Sequence, residues 1–199
     1  MSSASLALLA LSLLVAGCGT LNQQSEPGSR SLGSRVELVR KPLDAASRRS
    51  LERAQEALAR EQPAKARALL KPLSEAYAYA PEVLLALATL ERREGRRERA
   101  ISYYQRLLRV EPQHPSAAND LALLYRGAGR IEEASGLLSR AVEKNPDRPR
   151  LHYNLAVLYE LYLMDLDRAL EHYRRYQALT EKDHEEVGRW IQDLERRVE

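Results

Sequence analysis

This chain repeats itself with a period of 34 residues, which leaves few folds open to it. Pro81, Pro115 and Pro149 follow one another at that interval, and Leu87-Ala88, Leu121-Ala122 and Leu155-Ala156 fall in register with them. Gly95 and Gly129 keep the same register, as do Ala100 with Ala134, Tyr104 with Leu138, and Pro112 with Pro146. The last copy gains one residue around Leu163 to Asp165, after which Ala169 and Tyr173 resume the pattern. A unit this short cannot bury its apolar face alone, so copies must stack on their neighbours into a solenoid. The prolines suit first-turn helix positions, where a missing N–H costs little, and the glycines supply the left-handed residue that ends a helix. The small residues at 88, 122 and 156, and at 100, 134 and 169, let two helix backbones approach closely, with tyrosines and leucines filling the gaps between units.

This arrangement resembles the tetratricopeptide repeat, TPR, whose pattern runs Leu-Gly or Leu-Ala, then Tyr, then Ala-x₃-aromatic, then Pro. The middle copy reads Leu121-Ala122-x₂-Tyr125, Ala134-x₃-Leu138 and Pro146. The next reads Leu155-Ala156-x₂-Tyr159 and Ala169-x₃-Tyr173, with Glu181 in place of Pro; the preceding one has Glu91 in place of Tyr. A more divergent unit at about 47–80 keeps the Ala54 to Ala66 interval and Leu70, but carries Pro72, which is expected to kink or shorten its second helix. The expected fold class is all-α: a TPR helix-turn-helix solenoid with units at about 47–80, 81–114, 115–148 and 149–183. Residues 184–199 should add a capping helix, since Val187, Trp190, Ile191, Leu194 and Val198 share one helical face.

The front of the chain carries a different signal. Leu6 to Val15 is an uncharged apolar run of ten residues, about half of the ~20 that a membrane-crossing helix needs, and so reads as the apolar core of an export signal. It leads into Val15-Ala16-Gly17-Cys18, which resembles the lipobox of bacterial lipoproteins. That resemblance implies a signal peptide over residues 1–17, lipidation and acylation at Cys18, and, because Gly19 rather than Asp follows, the periplasm-facing side of the outer membrane. The stretch before Leu6 departs from the pattern in having no Lys or Arg. Residues 18–46, rich in Ser, Gly, Gln and Arg, read as the lipidated cysteine and a tether.

The lone cysteine excludes a disulfide framework and a multi-cysteine zinc site. The 31 Lys+Arg exceed the 28 Asp+Glu by only three, and the run Glu91 to Arg99 alternates both signs, so its charges pair locally. Without interleaved aromatics this is not a nucleic-acid surface. His114, His152, His172 and His184 form no metal-ligand spacing, and His152 takes a large-residue slot as a packing residue. No paired carboxylates, Ser-His-Asp set, phosphate loop or nucleophile elbow is present, so no enzyme, cofactor or small-molecule substrate is expected. By register with the family, the concave face of first helices should include Arg92, Asn119, Leu123, Arg126, Tyr153, Asn154 and Val157. That face suits a peptide or helix of an envelope partner, with asparagine pairing backbone amides, tyrosine giving flat area and arginine meeting carboxylates. The family's carboxylate-clamp lysines are matched only in part, by Arg92 and Arg150. The resemblance therefore implies a scaffold such as the pilotins of type IV pili, or an adaptor that binds peptidoglycan or regulates its hydrolases.

Overall fold

Pro63, Pro81, Pro115 and Pro149 each open a helix, where the backbone N–H would have had no intrahelical partner. The structure, a computed structural model, describes residues 41–180 and 184–198. The export signal, Cys18, nearly all of the tether and Glu181 lie outside the described residues. Among the described residues all regular structure is helical: α1 (Ala45–Ala59), α2 (Pro63–Ala76), α3 (Pro81–Arg93), α4 (Arg97–Val110), α5 (Pro115–Gly127), α6 (Ile131–Lys144), α7 (Pro149–Leu158), α8 (Leu166–Leu179) and α9 (Glu185–Val198). Successive pairs form four hairpins, each packed on the next, and α9 lies against α8. The first helices also meet directly, α1 on α3 and α5 on α7.

The small-residue columns are where the helices come closest. Ala54, Ala88, Ala122 and Ala156, with Ala66, Ala100, Ala134 and Ala169, are each at most 1% exposed. Leu70, Tyr104, Leu138 and Tyr173 are equally buried one turn later. A larger side chain in either alanine column would overpack the seam, at about 1–3 kcal/mol. Since the unit at 47–80 fills the same columns, it packs as a full repeat.

Its second helix is not shortened. Pro72 lies inside α2, yet α2 runs 14 residues, as do α4, α6 and α8. Pro72 and Ala68, whose carbonyl loses its i+4 donor, are both exposed, so water can take the place of the missing hydrogen bond.

The turn inside each hairpin is built on one plan. The backbone N–H of residues 62, 96 and 130 donates to the carbonyl of Ala57, Glu91 and Tyr125, at 2.8, 2.9 and 2.9 Å. The residue just before each donor is left-handed: Glu61 at φ 56°, Gly95 at 72° and Gly129 at 75°. In the last hairpin Asp165 donates to Tyr159 at 2.9 Å, and Met164 is left-handed at φ 54°. The acceptors 57, 91, 125 and 159 keep the 34-residue step, while the donor has slipped by one. The added residue therefore sits earlier than the turn itself: it widens the end of α7 into a π-helical turn, Tyr159–Leu163. In α9, Val187, Ile191 and Leu194 are buried and Trp190 is partly so. Val198, expected on the same face, is 37% exposed because the helix ends there.

Candidate functional site

The helices α3, α5 and α7 present their side chains in a row, and the expected site residues divide into two groups on it. Asn119 and Asn154 are buried, at 4% and 8% exposure, and face each other: Asn154 Nδ2 donates to Asn119 Oδ1 at 2.6 Å. They stand 35 residues apart, one more than the repeat, so they occupy neighbouring rather than equivalent positions and meet across the seam between α5 and α7. Asn119 Nδ2 donates in turn to Asp120 Oδ1 at 3.1 Å, and Tyr104 Oη donates to Asp120 Oδ2 at 2.9 Å. Arg92, exposed on the last turn of α3, reaches within 3.9 Å of the same carboxylate. Burial, reinforced by the negative charge of Asp120, pushes the Tyr104 phenol up to about 12, so it stays a donor. Asp120 is thus the hub of a chain from α3 to α7. Sequence reasoning passed over it, although an acid inside the small, apolar run Ala117-Ala118-Asn119-Asp120-Leu121-Ala122 needs a partner wherever it is partly buried.

The second group is apolar and aromatic. The Tyr153 ring lies 6.1 Å from Tyr173, 5.2 Å from Tyr176 and 6.3 Å from Trp190. Its phenol is raised mainly by burial, with the Arg126 charge pulling the other way. Leu123, Arg126 and Val157 are half-buried. Of the seven expected residues, Arg92, Leu123, Arg126, Tyr153 and Val157 therefore remain reachable, while the two asparagines serve each other. Beside them, an open cleft of about 260 Å³ is lined by Ser116, Asn119, Asp120, Arg148, Arg150 and Leu151 at the starts of α5 and α7.

The alternating run at 91–99 is a local ion-pair cluster. Arg96 bonds both Glu91 and Glu94, Arg67 of α2 bonds Glu94, and Arg93 donates to the carbonyl of Leu58. The same arginine position serves the next unit differently. There Arg130 lies 4.0 Å over the Tyr125 ring, where the preceding unit sets Arg96 against Glu91. A charge pair and a cation–π contact thus fill equivalent slots, which is why Glu91 can replace tyrosine.

His152 is 4% exposed, as a packing residue should be, but it is also paired. Its Nδ1 lies 3.0 Å from Nδ1 of His172 on α8, and its Nε2 lies 3.1 Å from the carbonyl of Pro146. The carbonyl can only accept, so His152 carries its proton on Nε2 and accepts at Nδ1 from His172. Burial holds both imidazoles below their ordinary range; for His152 the bond to the Pro146 carbonyl opposes this and the Arg175 charge adds to it, for His172 any protonation of His152 and the Arg168 charge add to it, and Glu171 opposes both shifts. Among the described residues, no group of three or more His, Cys, Asp or Glu is placed to hold a metal ion.

Two tetratricopeptide-repeat family models match the chain, one over residues 51–118 and one over 91–158. Together they run through more than half of its 199 residues. The chain belongs to the tetratricopeptide repeat family. Solved structures agree on the fold. MamA from Desulfovibrio magneticus RS-1, residues 41 to the end, is 18% identical with a TM-score of 0.66, covering 78% of this chain and 87% of that one. A Pseudomonas aeruginosa pilF structure is 21% identical with a TM-score of 0.66, covering 75% of this chain and 67% of that one. MamA AMB-1 is 21% identical with a TM-score of 0.63, covering 77% and 82%. No curated protein matches the sequence. TPR folds are typically non-catalytic scaffolds for protein interaction, and this TPR array has that architecture.

Proposed function

We propose that this TPR protein is a scaffold of the bacterial envelope, held by an acylated Cys18 at the periplasmic side of the outer membrane, whose row of first helices binds a partner protein. The observation that carries the binding reading is the reachable row Arg92, Leu123, Arg126 and Val157, set on helices whose spacing is fixed from beneath by the Asn154–Asn119–Asp120–Tyr104 chain. A rigid row of alternating charge and apolar area suits an extended peptide or one face of a helix, because little entropy is lost when it is occupied. The cleft beside it, with Arg148 and Arg150 opposite Asp120, offers both signs of charge to a peptide backbone or side chain. Support for the anchor is the Val15-Ala16-Gly17-Cys18 sequence, and Gly19 supports the outer rather than the inner membrane. The likeness to pilF, a pilus-related TPR protein, makes pilus or secretin assembly the first machine to test.

The test is capture of partners from envelope extracts by the lipidated protein, compared with an Arg92→Glu, Arg126→Glu variant. Loss of the captured protein with helicity unchanged supports the row as the site; an unchanged set of captured proteins removes it. Labelling with a palmitate analogue tests the anchor separately: equal incorporation into wild type and Cys18→Ala ends that reading.

A further inference from the structure

Five large apolar side chains stand out as exposed among the described residues, and three of them fall within four positions. Leu161 is 62% exposed, Tyr162 48% and Met164 69%. They occupy the π-helical turn and the left-handed residue that follow α7. The matching positions of the other hairpins are polar or small: Ala59-Arg60-Glu61-Gln62, Arg93-Glu94-Gly95-Arg96 and Gly127-Ala128-Gly129-Arg130. The insertion thus replaces a glycine turn with a cluster of large side chains held up from the solenoid. It is held firmly, because Tyr159 and Leu163 of the same turn pack against the core and Asp165 closes the turn on the Tyr159 carbonyl.

We propose that this turn rests in the interfacial region of a lipid bilayer, the one to which Cys18 anchors the chain, so that the inference builds on the anchor reading above. A projecting knob of exposed large side chains needs a partner that deforms to receive it, which a bilayer interface does and a folded protein surface does only by presenting a matching pocket. Two aliphatic side chains flanking a tyrosine are the combination that settles at the boundary of acyl chains and headgroups. The acids nearby do not oppose it: Asp165 is bonded to Arg168 at 2.6 Å, and Glu160 accepts from Tyr173 at 2.9 Å and lies 3.7 Å from Arg197. No helix among the described residues is long and apolar enough to cross a membrane, so the contact is peripheral. It would fix which way the row of first helices faces, where the lipid alone would leave the array free to turn.

The experiment places a tryptophan in the turn, Tyr162→Trp, in the full chain processed by cells. The protein is reconstituted in phosphatidylethanolamine and phosphatidylglycerol vesicles with and without brominated acyl chains. Wild type, whose one tryptophan is Trp190, gives the background, so no change to the aromatic cluster is needed. Bromolipid quenching of the added signal by about twofold, abolished by Leu161→Asp with Met164→Asp, is the expected result for side chains at the acyl boundary. An anchored protein whose added signal is unquenched overturns the proposal. If, besides, the aspartate pair then loses a protein from envelope capture, the turn is a protein-docking knob instead. If palmitate labelling shows no lipid on Cys18, the anchor reading falls by itself. Quenching at millimolar lipid, present or absent, still decides the turn.

Discussion

Where α1 and α2 meet α3, the buried residues are Leu51, Ala54, Leu58, Ala66, Leu70, Leu73, Val83, Leu87 and Leu90, an aliphatic seam bounded by Tyr77. Where α5 and α6 meet α7 and α8, the seam also buries Asn119, Asn154 and His152, and carries the rings of Tyr159, Tyr173 and His172. The two cores meet in α3, whose Leu84 and Ala88 face one way and Val83, Ala86, Leu87 and Leu90 the other. An aliphatic seam is strong but undemanding, because apolar contacts add up in many arrangements. A seam with buried polar pairs has one arrangement that satisfies them and is costly in any other. The front of the array is therefore fixed by shape and the back by hydrogen-bond direction. The back is also where the reachable row and the exposed turn lie.

The most severe test of that contrast is Leu70→Ala. Leu70 has no exposed surface, and its truncation should cost about 2–5 kcal/mol. Repeat arrays need not unfold in one step, so the loss should appear first in helical circular dichroism and later, or not at all, in Trp190 fluorescence, which reports the cap. Coincident loss of both signals would show a single cooperative unit and erase the distinction between the two seams.

Next comes Asn154→Ala, which leaves the buried Asn119 carbonyl without its donor and should cost about 1–3 kcal/mol. The double variant Asn119→Leu, Asn154→Leu should recover part of that loss, since two apolar groups need no partner and Asp120, which loses the Asn119 donor, is partly exposed to water and keeps Tyr104. Its thermal transition should return toward wild type while capture of a partner changes. If the single and double variants melt alike, hydrogen bonding is not what orders this seam.

Why the fold can be read from the sequence and this seam cannot comes down to registers. Pro81, Gly95, Ala100 and their copies recur at 34 residues because each does the same backbone task in each unit, and such tasks are visible one residue at a time. Even the unit at 47–80 is visible through Ala54, Ala66 and Leu70, though Glu61 hides its left-handed position behind a residue type that rarely takes it. Contacts between unlike positions leave no periodic trace. Asn119 with Asn154 are 35 apart, Tyr104 with Asp120 are 16 apart, and His152 with His172 are 20 apart. Register alone sets the two asparagines on an open face, and it carries no sign that each has the other for a partner. The π-helical turn shows in the sequence only as one surplus residue; where the chain accommodates it depends on Tyr159 staying in its packing slot.

The histidine pair gives the back seam a pH dependence that the front lacks. Both imidazoles sit below the ordinary value near 6.5 in the folded chain, chiefly through burial. The unfolded chain therefore binds more protons as pH falls below that value. The contribution is complete above pH 6.5 and is lost as pH falls through the depressed values. Protonating His152 at Nδ1 would also set two donors 3.0 Å apart. Urea denaturation followed by Trp190 should show stability declining between about pH 7 and 5. His152→Gln with His172→Gln should flatten that decline, well above the range where the carboxylates Asp44 and Glu133 begin to protonate. A decline of the same slope in the double variant would assign it elsewhere.

The smallest effects concern the turns, and they run in opposite directions at equivalent sites. Gly129 has φ 75° with open space where a Cβ would stand, so Gly129→Ala meets no clash and costs only the left-handed backbone, about 1 kcal/mol. Met164 already bears that strain at φ 54° and is 69% exposed, so Met164→Gly removes strain and little packing. The added freedom of glycine in the unfolded chain offsets part of the gain, leaving about 0.5 kcal/mol of stabilisation in water. Thermal transitions of the two variants should thus move apart, the first down by about 2–4 °C and the second up by about 1–2 °C. If Met164→Gly melts lower than wild type, its side chain is holding the turn together, and the exposed cluster is structural after all.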